Sequence, residues 1–247
     1  MTPKIAIALV CKTPAIGRGK SRLWPLLGQS RTAQLSACFI RDVAETLAAL
    51  PATLSRQCYA LFSPAGTEAV LRELLTSDWQ LIPREADDVG QVLEASLKVL
   101  LQAGHNSVVF VNSDSPSLPG VLIEEAITAL RPDGDRVVLG PSLDGGYNLI
   151  GLKGFHPTLF RNMAWSTPAV FSTTCARAAQ MGLPVHVLHK WYDVDEAEDF
   201  QRLKAEFDGQ SPFPDAVVQG GPARYTRALL AAWTAAEIPP SQQAGLG

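Results

Sequence analysis

Short hydrophobic runs alternate with amphipathic segments over most of the chain. Apolar runs of about five residues bounded by turn formers predict buried strands, and they stand at 4–11, 58–62, 79–82, 107–114, 136–140 and 185–188. Between them, apolar residues three or four positions apart predict helices over 30–50, 67–75, 89–103, 122–130, 169–181 and 196–207. Because strands and helices alternate, the predicted fold class is α/β, with a mostly parallel mixed sheet covered by helices on both faces.

One segment breaks the alternation. Residues 141–152 leave no room for a helix, so the two strands predicted there are joined by a turn and run antiparallel. The turn holds Asp144, Gly145 and Gly146, with Tyr147 directly after it. Asp-Gly and Gly-Gly are strong hairpin signals, but two glycines also form a wall that a substrate can approach closely. We therefore regard Asp144, Gly145, Gly146 and Tyr147 as candidate substrate-binding residues, with a simple hairpin turn as the alternative.

The composition changes near the C-terminus. Beyond Gly209 the chain is rich in Pro, Gly and Gln, and it contains one amphipathic segment at 225–236. We expect residues 1–208 to form one domain and residues 209–247 to form an extension with one helix and a flexible end.

A carboxylate ends the predicted central strand. The run 107–114 stops at Asp114, and Ser115-Pro116 then directs the chain away from the sheet. Ligands of open α/β sheets bind at the carboxyl ends of the strands, so Asp114 is a candidate catalytic and metal-binding residue. The alternative is that Asp114 only caps the next helix, because Asp is common in turns and caps.

A basic loop follows the first predicted strand. Its cations, spread over eleven residues, are Lys12, Arg18, Lys20 and Arg22. Glycines in this loop let the backbone approach a ligand and direct N–H groups toward it. Donors combined with point charges suit a polyphosphate, although a solvated basic loop is the simpler alternative. The candidate nucleotide-binding residues are Lys12, Gly17, Gly19, Lys20 and Arg22, and Lys20 is also a candidate catalytic residue.

Charge and hydropathy argue against two classes of binding partner, nucleic acids and membranes. The chain of 247 residues has a formal net charge of −3, whereas nucleic-acid binding needs a basic face, so we expect no nucleic-acid partner. No apolar run approaches the roughly 20 residues that span a bilayer, and no signal peptide is recognisable, so we expect a cytoplasmic protein without a membrane partner. The four cysteines form no C-x-x-C pair, which favours reduced thiols over structural zinc. A homodimer is left open.

Other catalytic motifs fit the sequence poorly. There is no G-x-S-x-G elbow, and the four histidines lack the spacing of metal ligands. The segment 14–21 falls one residue short of a P-loop, because Pro14 stands where the first glycine belongs. Pro25 would also interrupt the helix that a P-loop requires, so a P-loop NTPase is the weaker interpretation.

Three loops are expected to meet in one crevice. The carboxyl ends of parallel strands lie at one edge of a sheet, which brings the basic loop, Asp114 and the late segment 193–195 together. Mg²⁺ is usually held by one or two carboxylates plus substrate phosphates. Asp114 with Asp195 fits that ligand set, with Mn²⁺ as the alternative metal.

Five motifs in the same order resemble the DUF2064 family. They are Lys12-x-Pro14-x-x-Gly17-x-x-Lys20-Ser-Arg22-Leu23, Asp114-Ser-Pro116-x-Leu118, Pro141-x-x-Asp144-Gly-Gly-Tyr147-x-Leu-Ile-Gly-Leu152, Trp165-Ser-Thr167 and Asp193-Val-Asp195-x-x-x-Asp199. This family is glycosyltransferase A-like, lies in the nucleotide-diphospho-sugar transferase superfamily, and is related to molybdenum-cofactor and phospholactate nucleotidyltransferases. The resemblance covers residues 4–203 and implies a Rossmann-like GT-A fold.

The resemblance also implies roles for individual residues. It assigns Mg²⁺ coordination to Asp114, with the second ligand from Asp195 or Asp193. It assigns binding of the nucleotide phosphates to Gly17, Lys20 and Arg22. The Asp114-Ser-Pro triplet replaces the Asp-x-Asp of many glycosyltransferases, which favours the nucleotidyltransferase side of the superfamily.

The sequence therefore predicts a Mg²⁺-dependent transferase that binds a nucleotide, either an NTP or a nucleotide sugar, and a small-molecule acceptor. Nucleotidyl transfer from an NTP to a small phosphorylated acceptor is the first hypothesis. A glycosyltransferase that uses a nucleotide sugar is the second. A nucleotide-binding protein without catalytic activity is the third.

Overall fold

A computed structural model describes residues 5–84 and 88–237. The strands in these ranges are β1 (Ile5–Lys12), β2 (Arg56–Ser63), β3 (Gln80–Pro83), β4 (Ser107–Asn112), β5 (Val137–Pro141), β6 (Tyr147–Leu152) and β7 (Val185–Val187). The α-helices are α1 (Trp24–Ala49), α2 (Glu68–Leu74), α3 (Val89–Gln102), α4 (Gly120–Ala129), α5 (Val170–Gln180), α6 (Ala197–Phe207) and α7 (Arg224–Glu237). Short 3₁₀ turns lie at Ser21–Leu23 and Pro157–Leu159. The flexible end predicted for 238–247 lies outside the described residues.

The strands form one mixed sheet in the order β3-β2-β1-β4-β6-β5-β7. Neighbouring strands are parallel except at β6, which runs antiparallel to both β4 and β5. This confirms the predicted α/β class with a mostly parallel Rossmann-like sheet. The predicted antiparallel pair consists of β5 and β6, and residues 142–146 form the turn between them.

Helix layers cover both faces of the sheet. Ile7 and Leu9 of β1 pack in the core shared with α1, α4 and α6. Ala6 and Ala8, which point to the opposite face, pack in the core shared with α3 and α5. This alternation follows from the two-residue period of a strand.

Helix α1 begins earlier than the prediction of residue 30. It starts at Trp24, with Pro25 in its first turn, a position that proline favours. Gly28 interrupts it with a φ of 73°, a left-handed conformation that glycine adopts readily. The predicted start was wrong because the amphipathic pattern becomes regular only after this kink.

The C-terminal helix α7 docks on α1. The buried carboxylate of Asp42 in α1 accepts hydrogen bonds from Tyr225 N at 2.8 Å and Thr226 N at 3.0 Å. It also accepts one from the Thr226 hydroxyl. Asp42 thus caps the amino end of α7 although it belongs to α1. The free N–H groups and the helix dipole at that end favour a negative charge.

Within the described ranges, none of the helices combines the length and the hydropathy that crossing a bilayer would require.

Candidate active site

Lys20 lies between the two predicted metal-binding carboxylates. Its Nζ is 2.7 Å from Asp114 Oδ1 and 3.1 Å from Asp195 Oδ1. It also donates to the carbonyl oxygen of Val194 at 2.8 Å. The Lys20 side chain is only 7% exposed. An ammonium has three donors, and these three acceptors use all of them. The structure therefore brings together three residues that are far apart in the sequence.

The backbone of the basic loop places Lys20 in this position. Gly17 and Gly19 have φ values of 76° and 66°, and Lys20 itself has a φ of 44°. A left-handed conformation costs a non-glycine residue about 1–2 kcal/mol. The 3₁₀ turn at Ser21–Leu23 follows directly, and fully buried Leu23 anchors it in the core. Backbone strain of this kind persists where surrounding contacts enforce it, as they do around Lys20.

Asp114 lies in the segment 113–118 and Asp195 in the segment 191–195, and we call these segments the two acid loops. Val194 N donates to the carbonyl oxygen of Asp114 at 2.9 Å, so a backbone hydrogen bond joins the loops. The Asp199 carboxylate accepts from Asp195 N at 3.2 Å and from Glu196 N at 3.0 Å. Asp195 is thereby held at the amino end of α6, where the helix dipole favours a negative charge.

Burial and neighbouring charges both shift the pKa values of Lys20 and Asp195. Burial lowers the pKa of Lys20, but attraction to Asp114 and Asp195 outweighs it and holds the pKa above its usual value. Burial raises the pKa of Asp195, and repulsion from Asp114 adds to this, while Lys20 opposes both. Lys20 therefore carries its charge at neutral pH and compensates the carboxylates.

Asp193 stands beside this group. Its Oδ1 accepts a hydrogen bond from Ser142 Oγ at 2.7 Å. Burial, followed by repulsion from Asp144, raises the pKa of Asp193 to about 7. A carboxyl group in this range can change its protonation state near neutral pH.

We call Asp114 and Asp195 the acid pair. A cleft of about 360 Å³ opens next to them, and we call it the cationic cleft. Its charged lining residues are Lys12, Arg18, Lys20, Arg84, Asp114, Asp193 and Asp195. Gly19 also lines it, and a Cβ built on Gly19 would have no atom within 4 Å, so the backbone there is open to a ligand. Cations and carboxylates therefore line the same cleft.

Arg84 was missed by the sequence analysis. It follows β3, and its Nη2 donates to Cys11 O at 3.0 Å and to Ser63 Oγ at 2.7 Å. These contacts hold the guanidinium beside the ends of β1 and β2. The available signal was a basic residue two positions after the predicted strand 79–82, at the edge where ligands bind.

Two predicted nucleotide-binding residues do not line the cationic cleft. Arg22 is largely exposed and pairs with Glu196, with 3.1 Å between Nη1 and Oε1. Gly17 faces the side chain of Gln29, whose Oε1 would lie 3.4 Å from a Cβ at position 17. Their predicted roles stay predictions.

A second, smaller cavity of about 150 Å³ adjoins the cleft, and we call it the side pocket. Both cavities are lined by Val10, Val89, Asn112, Ser166 and Asp193. Among residues 5–84 and 88–237, the charged residues that line the side pocket are Asp144 and Asp193. The rings of Tyr147 and Trp165 form part of its wall, with centroids 6.3 Å apart and nearly perpendicular planes.

The glycine turn between β5 and β6 shapes the side pocket. Asp144 Oδ1 accepts a hydrogen bond from Gly146 N at 2.8 Å, which closes the turn. A Cβ on Gly145 would lie 2.3 Å from the carbonyl oxygen of Pro168, so only glycine fits this contact. Gly146 lines the pocket and Gly145 packs behind it.

The acid pair fits a divalent cation that is completed by substrate phosphates. One oxygen from each of Asp114 and Asp195 already converges on one cation, the Lys20 ammonium. Across residues 5–84 and 88–237, no group of three or more His, Cys, Asp or Glu side chains is arranged to hold a metal. The two carboxylates therefore match the incomplete protein ligand set that Mg²⁺ commonly takes alongside a nucleotide.

Solved structures with a similar fold include transferases. A protein from Desulfovibrio desulfuricans G20, provisionally named a nucleotide-diphospho-sugar transferase, matches with a TM-score of 0.79 and 25% identity, over 95% of this chain and 96% of that chain. CMP:2-keto-3-deoxy-manno-octonic acid synthetase, complexed with CTP, matches with a TM-score of 0.54 and 10% identity, over 83% and 99% of the two chains. Glucosyl-3-phosphoglycerate synthase from Mycobacterium tuberculosis, in complex with Mn²⁺, UDP and glucosyl-3-phosphoglycerate, matches with a TM-score of 0.50 and 13% identity, over 97% and 82%. At these low identities the last two show the fold alone.

The fold and these structural relatives identify the chain as an enzyme of the transferase class, built on the nucleotide-diphospho-sugar transferase fold. Residues 46–167 match the DUF2064 family, whose description is "Uncharacterized protein conserved in bacteria". The matched region contains the motifs at 114–118, 141–152 and 165–167, so the predicted resemblance to this family is confirmed there, while the motifs at 12–23 and 193–199 lie outside the match. No curated protein matches the chain.

Proposed function

We propose that this protein is a Mg²⁺-dependent nucleotidyltransferase that uses an NTP as donor and a small phosphorylated molecule as acceptor. One observation carries the proposal: four cations and the acid pair line the same cleft, and Lys20 lies within 3.1 Å of both Asp114 and Asp195. A triphosphate needs several positive charges along its length and oxygen ligands for its metal at one end. The cleft offers both in one continuous space.

The residues divide into two functional groups. Lys12, Arg18 and Arg84 line the cleft and would neutralise the phosphates, while the open backbone at Gly19 would let N–H donors approach them. Lys20 would stabilise charge on the leaving pyrophosphate. An acceptor phosphate is already a nucleophile, so no covalent enzyme intermediate is required.

Asp114 and Asp195 would hold the divalent metal. Bound there, Mg²⁺ or Mn²⁺ would neutralise phosphate charge and orient the reacting groups. Lys20 keeps the two carboxylates together before ligands arrive, because its ammonium contacts both. The backbone hydrogen bond between Val194 and Asp114 preserves the same arrangement.

The side pocket supports a second candidate function, glycosyl transfer from a nucleotide sugar. Its volume of about 150 Å³ equals that of an engineered cavity that takes up one benzene molecule, so it can hold one six-membered ring. Asp144 and Asp193 can accept hydrogen bonds from hydroxyl groups, and Trp165 offers an aromatic face. In the part of the chain that the structure describes, no cation lines this pocket, which suits an uncharged sugar ring better than a phosphate.

The decisive experiment measures products from both donor classes. The purified protein is incubated with Mg²⁺ and each NTP across a panel of phosphorylated acceptors, and pyrophosphate release is recorded. In parallel, nucleotide sugars are tested for release of nucleoside diphosphate. Pyrophosphate release supports the nucleotidyltransferase, and turnover of nucleotide sugars alone supports the second candidate.

Site variants connect the activity to the geometry. Asp114→Asn should abolish metal-dependent turnover and leave the circular dichroism spectrum unchanged. Asp133→Asn, which alters an exposed carboxylate outside both cavities, is the matched control. Equal activity in Asp114→Asn and the parent protein would contradict the assigned site. Tight nucleotide binding without turnover, unaffected by Asp114→Ala or by chelators, would indicate a non-catalytic nucleotide-binding protein.

A further inference from the structure

A buried carboxylate links the two acid loops from behind the cleft. Glu206 in α6 is 8% exposed. Its Oε2 accepts a hydrogen bond from Ser117 Oγ at 2.8 Å and another from Tyr192 Oη. Ser117 lies three residues after Asp114, and Tyr192 lies three residues before Asp195. One oxygen atom therefore contacts both segments that carry the acid pair.

The C-terminal segment covers this carboxylate. A Cβ on Gly220 would lie only 1.8 Å from Glu206 Oε1, so the backbone at Gly220 rests directly on the carboxylate. Gly221 N donates to the carbonyl oxygen of Ser117 at 2.8 Å. The segment before α7 therefore contacts both Glu206 and the acid loop 113–118.

A purely structural contact would not need these groups. Ser117 and Tyr192 are 0% and 1% exposed, so burying them with a carboxylate carries a desolvation cost that apolar side chains would avoid. Burial raises the pKa of Glu206, which shows the same cost. Hydrogen bonds fix donor and acceptor within a few tenths of an ångström, more tightly than apolar packing does.

We propose that Glu206 is a positioning residue that sets the separation of Asp114 and Asp195 through Ser117 and Tyr192, with the backbone at Gly220 holding it in place. Glu206 lines neither the cationic cleft nor the side pocket. Its link to metal binding rests on the proposed function. The mechanical link between the acid loops can be tested independently of that function.

The first test measures hydrogen exchange of the backbone. Val194 N, bonded to Asp114 O, reports the junction of the acid loops. Glu206→Ala should accelerate exchange of peptides covering 191–195 at least ten-fold, and Glu206→Gln, which keeps one acceptor oxygen, should have a smaller effect. Asp42→Ala is the matched control because it removes a buried carboxylate that holds α7. It should accelerate exchange at Tyr225 and Thr226 and leave 191–195 unchanged.

The second test measures binding of Mn²⁺ to the nucleotide-loaded protein by electron paramagnetic resonance. Loss of a residue that orients metal ligands typically weakens binding about 10–100-fold, and we expect Glu206→Ala to fall in this range. Asp42→Ala should bind Mn²⁺ like the parent protein. Glu206→Gln should recover most of the affinity.

A third variant guards against misfolding. Gly220→Ala keeps Glu206, Ser117 and Tyr192 but forces the carboxylate away, and it should reproduce both effects in weaker form. Unchanged exchange and Mn²⁺ affinity in Glu206→Ala and Gly220→Ala would overturn the inference, as would equal effects in Asp42→Ala. If the parent protein binds no Mn²⁺ while the exchange result holds, the proposed metal site fails and the mechanical link stands.

Discussion

Replacing Lys20 by Met tests the balance of charge at the centre of the site. The substitution keeps most of the buried aliphatic stem but removes the ammonium that contacts Asp114, Asp195 and Val194 O. Two carboxylates then face one another without a counter-charge. In the absence of metal, the variant should be less stable than the parent protein.

The size of the effect follows from burial. Removing one partner of a fully buried ion pair costs about 3–5 kcal/mol. Here the aspartate side chains are 40% and 43% exposed, so solvent screens part of the repulsion and we expect a loss of about 2 kcal/mol. For a chain of this size, that loss corresponds to a fall in Tm of about 4–8 °C in EDTA.

Added Mg²⁺ should reverse most of this loss. The vacated position lies between two carboxylate oxygens, so a divalent cation can replace the ammonium there. If the Kd is about 1 mM, then 10 mM Mg²⁺ stabilises the variant by about 1.4 kcal/mol. In the parent protein Lys20 competes for the same oxygens, and the metal should raise the Tm by less.

Differential scanning fluorimetry in EDTA and in Mg²⁺ measures these shifts. Lys12→Met is the control, because Lys12 is an exposed cation of the same cleft that makes no contact with the acid pair. A Lys20→Met variant as stable as the parent in EDTA would refute the reasoning about charge. If Mg²⁺ raises the Tm of Lys20→Met by no more than it raises the Tm of the parent protein or of Lys12→Met, the proposed competition between the ammonium and the metal is wrong.

Two further predictions concern the side pocket. The raised pKa of Asp193, about 7, means that the folded protein holds a proton that the unfolded chain releases between about pH 4 and pH 7, so stability should fall as pH rises through this window. Asp193→Asn should remove that part of the slope in thermal unfolding measured at several pH values, and an unchanged slope would contradict it. Gly145→Ala should destabilise more than Gly134→Ala, because both glycines have a φ of 86° but only position 145 brings a Cβ to 2.3 Å from Pro168 O. At either position the left-handed backbone costs alanine about 1–2 kcal/mol. If Gly145→Ala and Gly134→Ala have equal free energies of unfolding, the contact with Pro168 relaxes without cost.

The central strands could be predicted because they are buried on both faces, as β1 and β4 are. Continuous apolar runs such as 107–112 contrast sharply with the polar turns around them, and the short stretch 141–152 left no room for a helix. Helix α1 was harder to bound, because Gly28 breaks the periodic pattern without ending the helix. The first residues of a helix carry little periodicity of their own.

The convergence of Lys20, Asp114 and Asp195 was also predictable, since strand ends in such sheets share one edge. The sequence could not show that Lys20 would contact both carboxylates, because that depends on a left-handed backbone at one residue. Arg84 was missed because its place depends on how β3 pairs with β2. Glu206 was missed because its hydroxyl partners are 89 and 14 positions away in the chain.

The reversed direction of β6 has a consequence for how this fold can diversify. If the strand after β5 were parallel to β5, the chain would have to cross to the opposite edge of the sheet through a helix. Only after a further strand could it contribute another loop at the same edge. Here it turns back at once, so 142–146 is delivered to the same rim as Asp114 by five residues alone. Changes in that turn can alter the wall of the side pocket while the hydrogen-bonded strands on either side stay in register.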